Sequence, residues 1–242
     1  MKKNLLAFLV IVIFIFLTNR IYVNLNNKAN SNIITKLKGQ IYYTKRVDGI
    51  LNLYKFDTSS KREQLIYTHK GKGKDSYGGD NDNIIDFYYD TKSGDISLVG
   101  MNNGDWCVFS IREKEKEAKL ISKLDFKDSK EKTTIRTDYI KNEIDGIKAI
   151  KKDGSIYIEK GGQEKCLLKF NGIYNEKFTG YTPIGFSPNG KYLIYHSFGH
   201  LTSFGTLLEG FTKGNIVKTY ILDMETGKST RFIDAYHVQW II

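Results

Sequence analysis

The residues of types that do chemistry fall into three groups. Asp86, Asp138, Glu143, His237 and Gln239 sit in or beside short β-type stretches. Two carboxylates brought face to face there would act as a general acid and base, as in cleavage of a glycosidic bond. The local alternation does not fix which of these side chains share a face, so hydrogen-bonded structural residues are the favoured reading. The second group is Lys70–Lys74, where lysines alternate with glycines, followed by Asp75 and Gly78–Asp82. Lys72 and Lys74 suit an anion, and Asp80 and Asp82 a calcium ion. The stretch lacks a D-x-D-x-D-G loop with a closing glutamate, which favours a solvated loop. The third group is His196 and His200, flanked by Phe204 and Phe211. Zinc needs at least three protein ligands and no third lies near, so no metal site is predicted. Leu201, Phe204, Leu207, Leu208 and Phe211 instead have helix-like spacing, which reads as a short amphipathic helix or lid and a candidate partner contact. No G-x-S-x-G occurs, so serine-hydrolase chemistry is unsupported. No catalytic residue and no cofactor is predicted.

These residues must be positioned by β-structure. Beyond residue 38 the chain consists of short runs rich in Ile, Tyr, Phe, Leu and Val, separated by Gly, Asp, Asn and Lys. Four segments align, starting at Leu53, Val108, Ser155 and Thr219. Each reads as strand, polar turn, strand. A further strand leads each hairpin, at Gly39, Gly94, Gly146 and Gly190, and the first two glycines stand 14 residues before Leu53 and Val108. Candidate first strands precede three of these, at Asn83–Tyr89, Thr133–Ile140 and Tyr181–Phe186. The unit is four antiparallel strands, A to D, and four-stranded units of this size are propeller blades.

The first unit has no room for its own A strand. Tyr236–Ile242 is an A-type strand with nothing after it. If it completes the first unit, the ring closes and an aggregation-prone edge disappears. The predicted fold is therefore all-β: a propeller of four blades closed by the C-terminal strand, with five blades as the alternative. Asp86, Asp138, His237 and Gln239 would then line the central channel. Trp106 and Trp240 are expected between blades. Cys107 and Cys166 fall on neighbouring blades and read as buried free thiols rather than a disulfide.

Within the fourth unit, Phe186–Tyr195 reads F-S-P-N-G-K-Y-L-I-Y and Tyr220–Lys228 reads Y-I-L-D-M-E-T-G-K. These resemble the WD40-like repeat of TolB-type β-propellers, roughly S-P-D-G-K-x-I-A-Y and then a strand ending D-x-x-T-G. Asn189 stands in place of the usual Asp, and both suit a tight turn before glycine. Phe56–Ser60 echoes the second half. The resemblance implies the propeller fold over residues 38–242. It does not imply an activity, because such repeats carry many functions.

In a propeller the A–B and C–D turns emerge on one face and the B–C and D–A connections on the other. The first set is short in this sequence. The second contains His69–Asp82, Lys123–Lys132, Asn171–Gly180 and the Ser197–Asn215 insert. Long loops on a rigid scaffold are where binding is expected, which places Lys72, Lys74, Asp80, Asp82, His196, His200, Phe204 and Phe211 on the candidate working face.

The N-terminus reads as an address. Lys2 and Lys3 precede the unbroken apolar run Leu5–Leu17, and no small-residue cleavage pattern follows closely. An uncleaved signal-anchor over residues 1–30 is favoured over a cleaved signal, with 31–242 as the domain outside the cytoplasm. The chain carries 37 Lys+Arg against 27 Asp+Glu, a net charge of +10. Acids interleave the bases and no stacking aromatics accompany them, so nucleic acid is not an expected partner. With 40% hydrophobic residues, 2 Pro and 2 Cys, the chain is neither disordered, collagenous nor a disulfide scaffold. The favoured function is a membrane-tethered binding or scaffold module for an envelope protein, peptide or cell-wall glycan. A propeller enzyme on carbohydrate is the alternative.

Overall fold

The computed structural model describes residues 2–28, 31–74, 81–124, 143–171, 179–198 and 217–241. Helix α1, Lys2–Lys28, carries the apolar run, and its residues 4–18 are exposed throughout. The 13 residues of Leu5–Leu17 rise about 20 Å as a helix, against a hydrocarbon core of about 30 Å. Among the described residues no helix is long and apolar enough to cross a membrane. A short helix α2, Ser31–Lys36, buries Ile33, and Leu37 just after it is buried as well.

Among the described residues, sixteen strands follow in four antiparallel sheets of four. The first contains β1 (Gln40–Val47), β2 (Ile50–Asp57) and β3 (Arg62–Tyr67). The second contains β4 (Ile84–Tyr89), β5 (Asp95–Asn102), β6 (Asp105–Arg112) and β7 (Lys119–Lys123). The third has β8 (Glu143–Ile144), β9 (Ile147–Lys152), β10 (Ser155–Lys160) and β11 (Gln163–Leu168). The fourth has β12 (Gly180–Phe186), β13 (Tyr192–Phe198), β14 (Val217–Asp223) and β15 (Ser229–Arg231). The last strand, β16 (Val238–Ile241), returns to the first sheet and lies antiparallel beside β1, with Trp240 opposite Ile41 and Val238 opposite Tyr43. The C-terminal strand thus completes the first sheet, as the expectation required of it.

Local chemistry explains the hairpins. Asp48-Gly49, Asn103-Gly104, Asp145-Gly146 and Asp153-Gly154 all have positive φ at both positions, the conformation of a two-residue turn that matches strand twist. Three of these are B–C connections, at β1–β2, β5–β6 and β9–β10. This corrects the expectation that the B–C set is long: only the β13–β14 connection is, and its residues 199–216 lie outside the described residues. The predicted A strand Thr133–Ile140 also lies outside them. The strand beside β9 is the two-residue β8, and Glu143 on it is exposed.

Among the described residues the buried side chains form three clusters, each between two sheets. Ile41, Tyr43 and Phe56 meet Tyr192, Ile194, Ile221 and Phe232 between the first and fourth sheets, with Ile33 and Leu37 sealing that seam. Tyr42 and Leu53 meet Ile84, Phe87 and Leu98 between the first and second. Ala149 and Ile156 meet Tyr181, Leu193 and Tyr195 between the third and fourth. Trp240 stacks on Tyr192 at 6.2 Å, so it packs between sheets as expected. Trp106 is half-buried in β6. Cys107 is buried but Cys166 is exposed, and both are free. The buried-thiol expectation therefore fails for Cys166, because β11 is an outer strand whose first four residues face solvent.

Candidate functional site

A pocket of about 300 Å³ opens where the first and second sheets meet, on the face bearing the A–B and C–D turns. Gly39 and Gln40 enter β1, Asp57 closes β2, Ser59 follows it, Tyr89 and Thr91 flank the end of β4, and Ile241 ends the closing strand. Turn chemistry holds this rim. The Asp57 carboxylate accepts the amides of Ser59 and Ser60 at 2.8 and 2.9 Å. Asp90 accepts the Lys92 amide at 2.9 Å and the Ser93 hydroxyl at 3.0 Å. Those amides hold both carboxyls below the usual aspartate value. Gly39 is tied to the same rim, because its carbonyl accepts from the Thr58 hydroxyl at 2.7 Å.

Behind the rim stands an aromatic and charged wall. Tyr42 stacks on Tyr89 with centroids 4.6 Å apart. Its hydroxyl donates to Glu113 in a short contact, and Gln40 Oε1 lies 3.3 Å away. Lys55 Nζ donates to the other Glu113 oxygen at 2.7 Å. Burial and the adjacent carboxylate push the Tyr42 phenol well above the ordinary tyrosine value, so it stays protonated. The wall offers hydrogen bonds and a stacked ring. It offers no base and nucleophile pair.

The channel candidates are tied into the sheets. Gln239 receives the Tyr89 amide on Oε1 at 2.7 Å and donates Nε2 to the Tyr89 carbonyl at 2.8 Å. Its amide thereby extends the backbone pairing across the seam from β16 to β4. His237 Nδ1 lies 2.8 Å from the Thr44 hydroxyl, and the Thr44 amide donates to the His237 carbonyl at 3.0 Å. Asp86 is buried at a register shift in β4, where its Oδ1 accepts the Phe87 amide at 2.9 Å. Asp138 lies outside the described residues.

The face with the longer connections is only partly described. Lys72 and Lys74 belong to a strap laid over the β5–β6 hairpin rather than to a free loop. The Lys72 carbonyl accepts from the Asn103 amide and from Asn81 Nδ2, and its own amide reaches Asn102 Oδ1 at 3.3 Å. Asp82 is half-buried at the entry to β4. His196 is buried in β13 opposite Thr219. Asp80, His200, Phe204 and Phe211 lie outside the described residues, as does the predicted amphipathic lid. Among the described residues no group of three His, Cys, Asp or Glu could hold a metal.

His69 escaped the sequence reading. It is 2% exposed, its Nε2 lies 2.9 Å from the Met101 carbonyl, and its ring packs on Phe109 at 4.6 Å. It fits because residue 100 is glycine: a Cβ there would stand 2.7 Å from the imidazole. A glycine inside an otherwise apolar strand was the available signal.

No family model and no curated protein matches the chain. Among solved structures, TolB from Acinetobacter baumannii is similar over 80% of this chain and 41% of its own, at 14% identity and a TM-score of 0.27. A structure from an analysis of two prolyl endopeptidases is similar over 90% of this chain and 35% of its own, at 9% identity and a TM-score of 0.24. The chain spans less than half the length of either. Overlap of that quality settles neither fold nor activity, and the architecture described above rests on strand pairing and packing alone.

Proposed function

We propose that the four sheets are blades of a closed β-propeller that serves as a binding or scaffold module, held at a membrane outside the cytoplasm by α1. The observation that carries the proposal is the return of β16 to β1 across almost the whole chain, which leaves four sheets of equal strand number. A ring of that kind has no use for a catalytic pair to be useful: stiff sheets hold their loops at fixed separations, and binding follows from the loops. The exposed apolar surface of α1 supports the anchor, because soluble domains rarely leave so large an apolar surface uncovered. Helix and signal-like layout together favour insertion with the run shifted toward one leaflet, its basic flanks at the interface.

The partner contact in this reading is the face of long connections. It includes Lys72, Lys74, Asp80 and Asp82, the insert bearing His200, Phe204 and Phe211, and His196 at its root. The reading is tested with the full chain in nanodiscs. Alkaline carbonate extraction should leave the chain in the membrane, and protease added to intact cells should reach the domain. Replacing residues 199–216 by a short Gly-Ser turn should remove partner cross-links while the melting temperature holds. Unchanged cross-links in the shortened chain exclude the insert as the contact.

A further inference from the structure

The pocket between the first and second sheets lies on the face opposite the partner contact proposed above, and it stands independently of that contact and of the anchor. Its rim is fixed from both sides. The Asp57 turn is closed by its own amides, and Thr58 ties it to the Gly39 carbonyl through both its amide and its hydroxyl. Across the seam, the Gln239 amide clamps the Tyr89 backbone, and the Asp90 turn is closed by the Lys92 amide and the Ser93 hydroxyl. Groups projecting from such a rim keep their separations, so little ordering remains for a ligand to drive.

The hydrogen-bonding groups left over at this rim define what fits. The Ser59 and Thr91 hydroxyls bond to none of the described residues, and each can donate and accept. One end of the Gln40 amide lies 3.3 Å from the Tyr42 hydroxyl, which leaves its other end for the pocket. Among the described residues that line the pocket, Asp57 is the one carboxylate. The Ser60 and Ser59 amides hold its carboxyl below the usual value, so it stays ionised and can only accept. Tyr89, its ring stacked on buried Tyr42, and Ile241 supply the apolar part. An anion is opposed by Asp57. A simple cation would use the carboxylate and the ring but leave the amide and both hydroxyls unmatched. A neutral ring bearing hydroxyls matches every group: its rim donates and accepts, and its C–H face suits an aromatic or aliphatic side chain. About 300 Å³ is the small end of the range for ligand sites, which suits one such ring rather than a chain. We infer that this pocket binds a single neutral sugar ring, free or at the end of a glycan. Cleavage of a glycosidic bond would need a second carboxylate facing the ring, so the pocket captures and does not cleave.

The test is ligand-observed saturation-transfer NMR on the full chain in nanodiscs, with empty nanodiscs as the blank. The probes are glucose, galactose and N-acetylglucosamine, their methyl glycosides, tetramethylammonium and methyl phosphate. A sugar site requires transfer to at least one sugar, stronger than to tetramethylammonium or methyl phosphate. Transfer to the matching methyl glycoside as well assigns the ring to the end of a glycan. Its absence assigns a free sugar, and both results support the pocket's chemistry. The location is read with the double variant Ser59→Ala, Thr91→Val. Both hydroxyls stand on surface turns and hold nothing in place, so the melting temperature should hold while sugar affinity falls roughly tenfold, the worth of two hydrogen bonds. Asp57→Asn keeps an oxygen for the turn amides but removes the charge, and should weaken the sugar several-fold. Equal sugar affinity in the parent and the double variant puts binding elsewhere and overturns the assignment. Preference for tetramethylammonium or methyl phosphate overturns the sugar class. Absence of transfer to every probe overturns the site.

Discussion

The contact between His69 and Gly100 shows how single residues set the junction of the first two sheets. A side chain at position 100 collides with a buried ring that has no room to retreat, so Gly100→Val should destabilise the fold by about 1–3 kcal/mol in urea unfolding. In a His69→Ala background the same change should cost much less, and the difference between the two cycles reads the contact directly. Behind the pocket, Glu113→Leu should cost about 1–3 kcal/mol, since it leaves the mostly covered Lys55 ammonium without its carboxylate and the Tyr42 hydroxyl with only the longer contact to Gln40. Alkaline behaviour follows from the tyrosines. Burial pushes Tyr42, Tyr43 and Tyr195 well up, and Tyr181 up to about 12. The folded state keeps these protons where the unfolded chain, with phenols near 10, releases them. Stability is therefore complete below about pH 10 and falls as pH rises toward the folded values. Melting across that range should show the loss, and Tyr195→Phe should shallow it; a flat profile would contradict the burial of these phenols.

Among the elements, hairpins were the most legible. Asp-Gly and Asn-Gly turns are local signals, and apolar alternation fixes which face of a strand is covered, so β1–β3, β4–β7 and β12–β15 follow from residues near one another in the chain. Gly104→Ala should cost about 1 kcal/mol, because its φ of 79° lies in the left-handed region. The pocket was not legible. Its lining comes from the ends of β16, β1, β2 and β4, and no spacing in the chain marks Gln40, Asp57, Tyr89 and Ile241 as neighbours. Gln239 was singled out as a channel group, yet its amide serves as a backbone mimic that joins β16 to β4. Gln239→Leu should cost about 1–3 kcal/mol by leaving the Tyr89 amide and carbonyl unmatched. The backbone ties of the Lys70–Lys74 stretch were not legible either: its lysines are exposed as in a solvated loop, but the Lys72 backbone is held by Asn81 nearby and by Asn102 and Asn103 some thirty residues on.

On the scale of the whole molecule, the arrangement stands on its last strand. Val238–Ile241 covers β1, Trp240 reaches both Tyr192 and Lys38, and Gln239 ties the first sheet to the second. The tail thereby links three of the four sheets and the entry of the chain. The most direct measurement is thermal and urea unfolding of the full chain against a chain ending at Ala235. With the tail removed, β1 loses its partner and two seams lose their fastening, so the shortened chain should show no cooperative transition and should aggregate. A soluble shortened chain that melts cooperatively within a few degrees of the parent would mean that the first sheet does not need the tail, and the closed propeller would fall.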